Sequence, residues 1–131
     1  MKRTTEDYLK TIYLLSRTNS SVRGVSIADQ LSVSKPTVSI IVKRLISEGY
    51  AEMNGEHEIF LTETGEAIAE TILERNMTFQ QLLTELGVDE KIAAEDACRM
   101  EHAVSTESFA ALKRLVEERQ NERVGNAYDD E

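Results

Sequence analysis

Tyr8, Thr11, Ile12 and Leu15 recur at i, i+3, i+4 and i+7, which predicts an amphipathic helix from Thr5 to Ser16 with Thr4 as its cap. The polar run from Arg17 to Ser21 reads as a loop. Gly24 precedes Ser26-Ile27-Ala28-Asp29, a capping-box-like start to a short helix that reaches Leu31. Only Ser32 and Val33 separate it from a third helix, capped by Ser34 and with Pro36 in its first turn. Val38, Ile41, Val42 and Leu45 form the apolar stripe of that helix, which stops before Gly49.

Beyond Gly49 the period shortens. Tyr50 to Met53 and Glu58 to Leu61 read as two strands around Asn54-Gly55, a dipeptide suited to the positive φ angles of a tight hairpin turn. Helix, helix-turn-helix and β-wing in that order predict a winged helix-turn-helix, in which the third helix enters the DNA major groove.

The second half returns to helical spacing. Thr64 opens a segment with Ile68, Ile72, Phe79, Leu82, Leu83 and Leu86 on one stripe, interrupted at Arg75-Asn76 and ending at Gly87. Asp89 opens another helix with Ala93, Ala97, Met100 and Val104 on its buried face. Ser105 caps a last one carrying Phe109, Leu112, Leu115 and Val116. So small a unit cannot hide all of this apolar surface internally, which predicts helix pairing between two chains, a homodimer. The expected fold is mainly α with a small β-wing: a winged helix-turn-helix domain over 1–63, a helical dimerisation domain over 64–120, and a flexible tail over 121–131.

Composition narrows the function classes. The chain has 131 residues, 40% of them hydrophobic and 30% charged, as in a soluble globular protein. Its longest apolar runs are far too short to span a bilayer, so no membrane partner is expected. The opening residues lead into a polar helical pattern rather than an apolar signal core, and the lone Cys98 suits a reducing compartment, so a cytoplasmic location is expected. The net charge of −9 is uneven. Through Thr62 there are 8 basic and 7 acidic residues, whereas the remainder has 7 basic and 17 acidic ones. A near-neutral half able to carry a basic face is thus joined to a half that repels phosphate.

Candidate chemistry is confined to Cys98, Glu101 and His102. On a helix, spacings of i, i+3 and i+4 put thiolate, carboxylate and imidazole on one surface, a donor set suited to a divalent transition metal. Their structural alternative is a small buried thiol, a solvated acid and a histidine favoured by a helix C-terminus. An enzyme is not expected. There is no phosphate-cradling glycine loop and no HExxH pair, and the two histidines, His57 and His102, assemble no triad.

The segments Thr5-Glu6-Asp7-Tyr8-Leu9-Lys10-Thr11-Ile12-Tyr13, Ile27-Ala28-Asp29-Gln30-Leu31-Ser32-Val33-Ser34, Leu61-Thr62-Glu63-Thr64-Gly65 and Cys98-Arg99-Met100-Glu101-His102-Ala103-Val104-Ser105 carry a resemblance. From Thr4 to about Leu115 the chain resembles the diphtheria toxin repressor and manganese transport regulator family of metal-activated transcription factors. The resemblance implies a homodimer that binds a divalent metal between its N-terminal helix and its dimerisation helices. It then binds a palindromic double-stranded DNA operator to repress metal-uptake genes. Position by position, the resemblance maps the primary metal site to Asp7, Cys98, Glu101 and His102. Asp7 has a second reading as a capping-box acid in a first helical turn.

Departures from the family pattern limit the metal count. Iron-type members have an ancillary site at positions that here read Asn76, Gln80 and Ala94; manganese-type members place an acid where Lys10 stands and a histidine where Asn76 stands. One divalent metal per subunit is therefore expected, with at most a weak second site at Asn76 and Gln80. Cys98 resembles the iron-type pattern and Asp7 the manganese-type one. Thiolate softness favours iron(II) slightly over manganese(II), while zinc, cobalt or nickel would bind in vitro. On DNA, Ser34, Lys35, Pro36, Thr37 and Ser39 are the candidates for base edges, and Lys43, Arg44 and the wing at Asn54 and Gly55 for the backbone. Glu56 and Glu58 make that wing a weak or averted contact. The alternatives are a winged-helix regulator that responds to a non-metal ligand or a partner protein, and a dimeric metal-buffering protein.

Overall fold

The computed structural model describes residues 1–129, with side chains through residue 125. It divides into two compact units, Met1–Ile72 and Leu73 onward, with the boundary inside one helix. In the first unit the order is α1 (Arg3–Thr18), α2 (Gly24–Leu31), α3 (Lys35–Ser47), β1 (Ala51–Met53), β2 (Ile59–Leu61) and the start of α4 (Glu63–Glu85). Leu9 and Ile12 of α1, Ile27 of α2, Val38, Val42 and Leu45 of α3, and Ala51 and Ile59 of the strands fill its core.

α1 is longer than its apolar stripe suggests. It starts at Arg3 with Lys2 in the cap position and no side-chain cap, so Thr4 lies inside the helix rather than capping it. Thr5 is buried, which ties the first turn to the core, and the Glu6 N–H donates to the Lys2 carbonyl at 3.2 Å. At the other end the helix takes in Arg17 and Thr18, shortening the expected loop. α2 also begins early, at Gly24, which places Ser26 within it instead of at its start. Ser32 then adopts a left-handed conformation, φ 56°, and the Val33 N–H closes onto the Ala28 carbonyl at 3.1 Å. α3 follows the expectation, since the Ser34 hydroxyl accepts from the Thr37 N–H at 3.3 Å and Pro36 lies in the first turn.

The wing strands pair antiparallel in the register Met53↔Ile59, which leaves five residues in the loop rather than an Asn54-Gly55 turn. The left-handed residue is His57, φ 63°. Asn54 organises the loop from one side chain: its Oδ1 accepts from the N–H groups of Glu56 and Glu58 at 3.0 and 2.9 Å. Thr62, not Thr64, starts α4. Its hydroxyl accepts from the Gly65 N–H at 3.2 Å and donates to the Gly49 carbonyl at 2.7 Å.

The second unit holds the rest of α4, α5 (Glu90–Met100) and α6 (Thr106–Asp129). Gly87 follows α4 with φ +94°, Asp89 caps α5 by accepting from the Lys91 N–H, and Ser105 caps α6 by accepting from the Ser108 N–H. Phe79 and Phe109 meet edge to face, ring centroids 5.9 Å apart, beside Ala97. Ion pairs from Lys113 to Glu74 and from Arg119 and Arg123 to Glu85 lay α6 alongside α4. The helix continues over 121–129, where the sequence reads as a flexible tail; Asp130 and Glu131 of that tail lie outside the described residues. No helix among the described residues is long and apolar enough to cross a membrane.

Candidate metal centre and DNA-reading face

α5 ends at Met100 with Glu101 as its C-cap, still in helical conformation with its N–H donating to the Ala97 carbonyl at 3.0 Å, so of the three candidate donors His102 alone lies wholly past the helix. Cys98 is on the helix, and the turn that follows begins at Glu101 and carries His102. The cause lies in the two caps. Ser105 must adopt a non-helical conformation to cap α6, and the Ala103 N–H already closes a tighter turn onto the Met100 carbonyl at 3.0 Å.

That turn brings Glu101 and His102 together. The Nε2 atom of His102 lies 3.2 Å from Oε1 of Glu101, and the two side chains are 6% and 0% exposed. A carboxylate in so dry a place is costly unless cations or donors compensate it. A buried carboxylate beside an imidazole, with a thiol three residues earlier, is a nitrogen, oxygen and sulfur donor set that fits a divalent transition metal. Cys98 is exposed, and its Sγ accepts from Nδ2 of Asn76 at 3.5 Å. Asn76 thus points a donor at the thiol.

Asp7 lies on α1 in the first unit, where it pairs with Arg3 at 3.8 Å. With Lys2 rather than Thr4 in the cap position, the capping-box reading of Asp7 falls away. Lys10 is part-buried on the next turn.

On α3 the core side is occupied by Val38, Val42 and Leu45, which leaves Pro36, Ser39, Ile40 and Lys43 on the opposite, exposed side. Ile40 is 68% exposed, and the sequence reading does not single it out. Lys35 and Thr37 are exposed at the helix start, where the hydroxyls of Ser34 and Thr37 are 2.7 Å apart. Arg44 behaves differently from Lys43. It is half-buried and lines a groove of about 400 Å³ with Lys2, Thr5, Glu48 and Tyr50. Asn54 is engaged within the wing loop, its Nδ2 donating to Oε2 of Glu58 at 3.3 Å, and Gly55 is exposed at the tip.

The acidic wing has a counter-charge that sequence reasoning missed. Arg23 donates from Nη1 to the Glu56 carbonyl at 2.9 Å and pairs through Nη2 with Glu58 at 3.7 Å. The neighbouring Val22 carbonyl accepts from the Ile59 N–H at 2.8 Å, so this stretch anchors the second wing strand. No local pattern marks Arg23 for the task, because its partners are more than thirty residues away.

Residues 1–58 match the iron dependent repressor N-terminal DNA binding domain, and residues 62–127 match the iron dependent repressor metal binding and dimerisation domain. The transcriptional regulator MntR of Escherichia coli is 40% identical over 108 residues, covering 82% of this chain and 70% of that protein. The diphtheria toxin repressor of Corynebacterium diphtheriae is 32% identical over 124 residues, covering 94% of this chain and 55% of the repressor. Among solved structures, the manganese regulator SloR superposes with a TM-score of 0.75 at 30% identity, over 86% of this chain and 53% of that one. The chain therefore spans about half the length of that regulator. Two domain models that together cover nearly the whole sequence establish that the chain belongs to the iron-dependent repressor family of metal-dependent transcriptional regulators, with MntR and the diphtheria toxin repressor as relatives.

Proposed function

We propose that this chain is a cytoplasmic repressor of metal-uptake genes that binds a palindromic operator as a homodimer when one divalent ion per subunit is held by Asp7, Cys98, Glu101 and His102. The observation that carries the reading is the buried pairing of Glu101 with His102, a side-chain arrangement that solvation does not explain and metal ligation does. The ion supplies positive charge to a set of anionic and imidazole donors. Cys98, Glu101 and His102 hold it from the end of α5, and Asp7 joins from α1. An ion so held would couple metal binding to DNA reading. Cys98 makes the site softer than an all-oxygen and imidazole one, which favours iron(II) slightly over manganese(II).

On DNA, Ser34, Lys35, Pro36, Thr37 and Ser39 meet base edges from the start of α3, and Ile40 adds an apolar surface of the kind that suits thymine methyl groups. Lys43, Arg44 and the Gly55 backbone serve the phosphates, with Asn54 shaping the wing loop. Exposed Met77, Leu86 and Ile92 on the second unit offer apolar area for pairing of two chains. In such a dimer the half-sites lie about one helical turn apart.

The test is operator selection from random duplexes under anaerobic conditions, with iron(II), with manganese(II) and with chelator. A palindrome enriched only with metal is the expected result. Equal enrichment in chelator would overturn the reading.

A further inference from the structure

The apolar stripe of α4 contains one charged residue. Arg75 stands three residues after Ile72 and four before Phe79, both fully or almost fully buried, and an apolar residue would continue the stripe. Its guanidinium instead reaches the α5–α6 connection. Nη1 donates to the Val104 carbonyl at 2.6 Å and to the Glu101 carbonyl at 3.4 Å. The guanidinium carbon lies 5.4 Å from the centroid of the Phe109 ring. Nε is buried with no hydrogen-bond partner among the described residues, so the burial of this side chain is not repaid at every donor.

These two carbonyls bracket His102. A helix end leaves carbonyls without intrahelical partners, and a basic side chain can satisfy them. Here the basic side chain comes from a neighbouring helix and grips the turn on both sides of the Glu101–His102 pair. Ligand geometry tolerates errors of only about half an ångström, and groups that orient ligands contribute strongly to metal affinity.

We propose that Arg75 is a positioning residue for the metal centre, presetting the turn that carries Glu101 and His102. The inference rests on the reading that these two residues are ligands. The phenyl face of Phe109 holds the guanidinium in place, which explains why a cation interrupts an otherwise apolar stripe.

The test uses the full chain with Arg75→Met, which keeps the stem and removes the donors, and Arg75→Lys, which returns one cationic donor on a shorter reach. Cobalt(II) affinity is measured anaerobically by competition with a chromogenic chelator, alongside the cobalt d–d spectrum and the thermal unfolding of the metal-free protein. Arg75→Met is expected to weaken cobalt binding about 10- to 100-fold and to alter the d–d bands. Arg75→Lys should recover part of both. Affinity and spectrum unchanged in Arg75→Met, while Glu101→Gln loses tight binding, would overturn the positioning role and leave the ligand reading standing. Tight binding retained in Glu101→Gln would overturn the ligand reading itself. If Arg75→Met does not fold, Arg75→Lys decides alone: several-fold weaker binding with shifted bands supports the role, and an unchanged site overturns it.

Discussion

His102 Nε2 lies 3.2 Å from Glu101 Oε1 on a turn whose position is held by Arg75. Three of the four proposed ligands are therefore contributed by five consecutive residues of one unit, and the fourth, Asp7, by the other. Binding the metal and being switched by it become separable properties.

Asp7→Ala is expected to keep its metal, less tightly, through Cys98, Glu101 and His102. It should lose most of the metal-induced gain in operator affinity even at saturation, a coupling of about 1 to 3 kcal/mol in typical allosteric proteins. Cys98→Ala should lose metal affinity first and regain activation at high metal concentration. Fluorescence anisotropy with the selected operator distinguishes them. Operator binding by metal-saturated Asp7→Ala as tight as that of the unsubstituted protein would end the idea of a bridging ligand.

Stoichiometry should be one tightly bound ion per subunit, since Asn76, Gln80, Ala94 and Lys10 withdraw the donors of a second site. Asn76 Nδ2 is already directed at Cys98 Sγ, 3.5 Å away. Anaerobic calorimetry with manganese(II) and cobalt(II) reads the count directly, and two strong ions per subunit would contradict it.

On the outward side of α3, Lys43 and Ile40 should fail in different ways. Lys43→Ala is expected to weaken binding across sequences and to lower the salt slope by about 1. Ile40→Ala should cost about 4-fold at one position of the operator, the worth of roughly one buried methylene. Uracil in place of thymine at that position should reproduce the loss in the unsubstituted protein and add nothing in the variant.

Gly65→Ala should destabilise the first unit by about 1 to 3 kcal/mol. A Cβ on Gly65 would overlap the backbone carbonyl oxygen of Tyr50, which also accepts from the Thr62 N–H at 3.1 Å. Neither backbone segment can yield without opening the junction of wing and α4. Urea unfolding of the two proteins measures the difference, and equal midpoints would show that the junction is looser than its geometry.

Tyr8 is buried, and its hydroxyl has no hydrogen-bond partner among the described residues. Burial pushes the phenol above its ordinary value, an effect opposed by the Arg44 charge. The folded state therefore keeps the proton longer. Stability is unaffected below about pH 10, the unfolded phenol's range, and falls as the pH rises beyond it. Tyr8→Phe should raise stability at neutral pH by about 1 kcal/mol by removing an unsatisfied hydroxyl. It should also flatten the alkaline decline, as thermal unfolding at pH 7 and above pH 10 will show.

Much of the architecture is written locally. Ser34 caps α3 through the Thr37 N–H, Asp89 and Ser105 cap the last two helices, and Gly49 and Gly87 take the left-handed positions that end two others. Each of these is decided within about four residues, so a one-dimensional reading reaches it. The candidate donors at 98, 101 and 102 stand out in the sequence for the same reason, and Asp7 enters the proposed set only through the family motif that contains it. Tertiary structure decided what distant groups do to one another. Thr4 lost its capping role because Thr5 is drawn into the core, and Asn54-Gly55 widened into a five-residue loop organised by Asn54 and anchored through Arg23. Arg75 looked like a flaw in an apolar stripe until the carbonyl 29 positions away that it satisfies was in view. Capping compares neighbouring residues, which sequence displays. Satisfying a buried polar group depends on which chain segments packing brings within about 3 Å, and no local pattern carries that information.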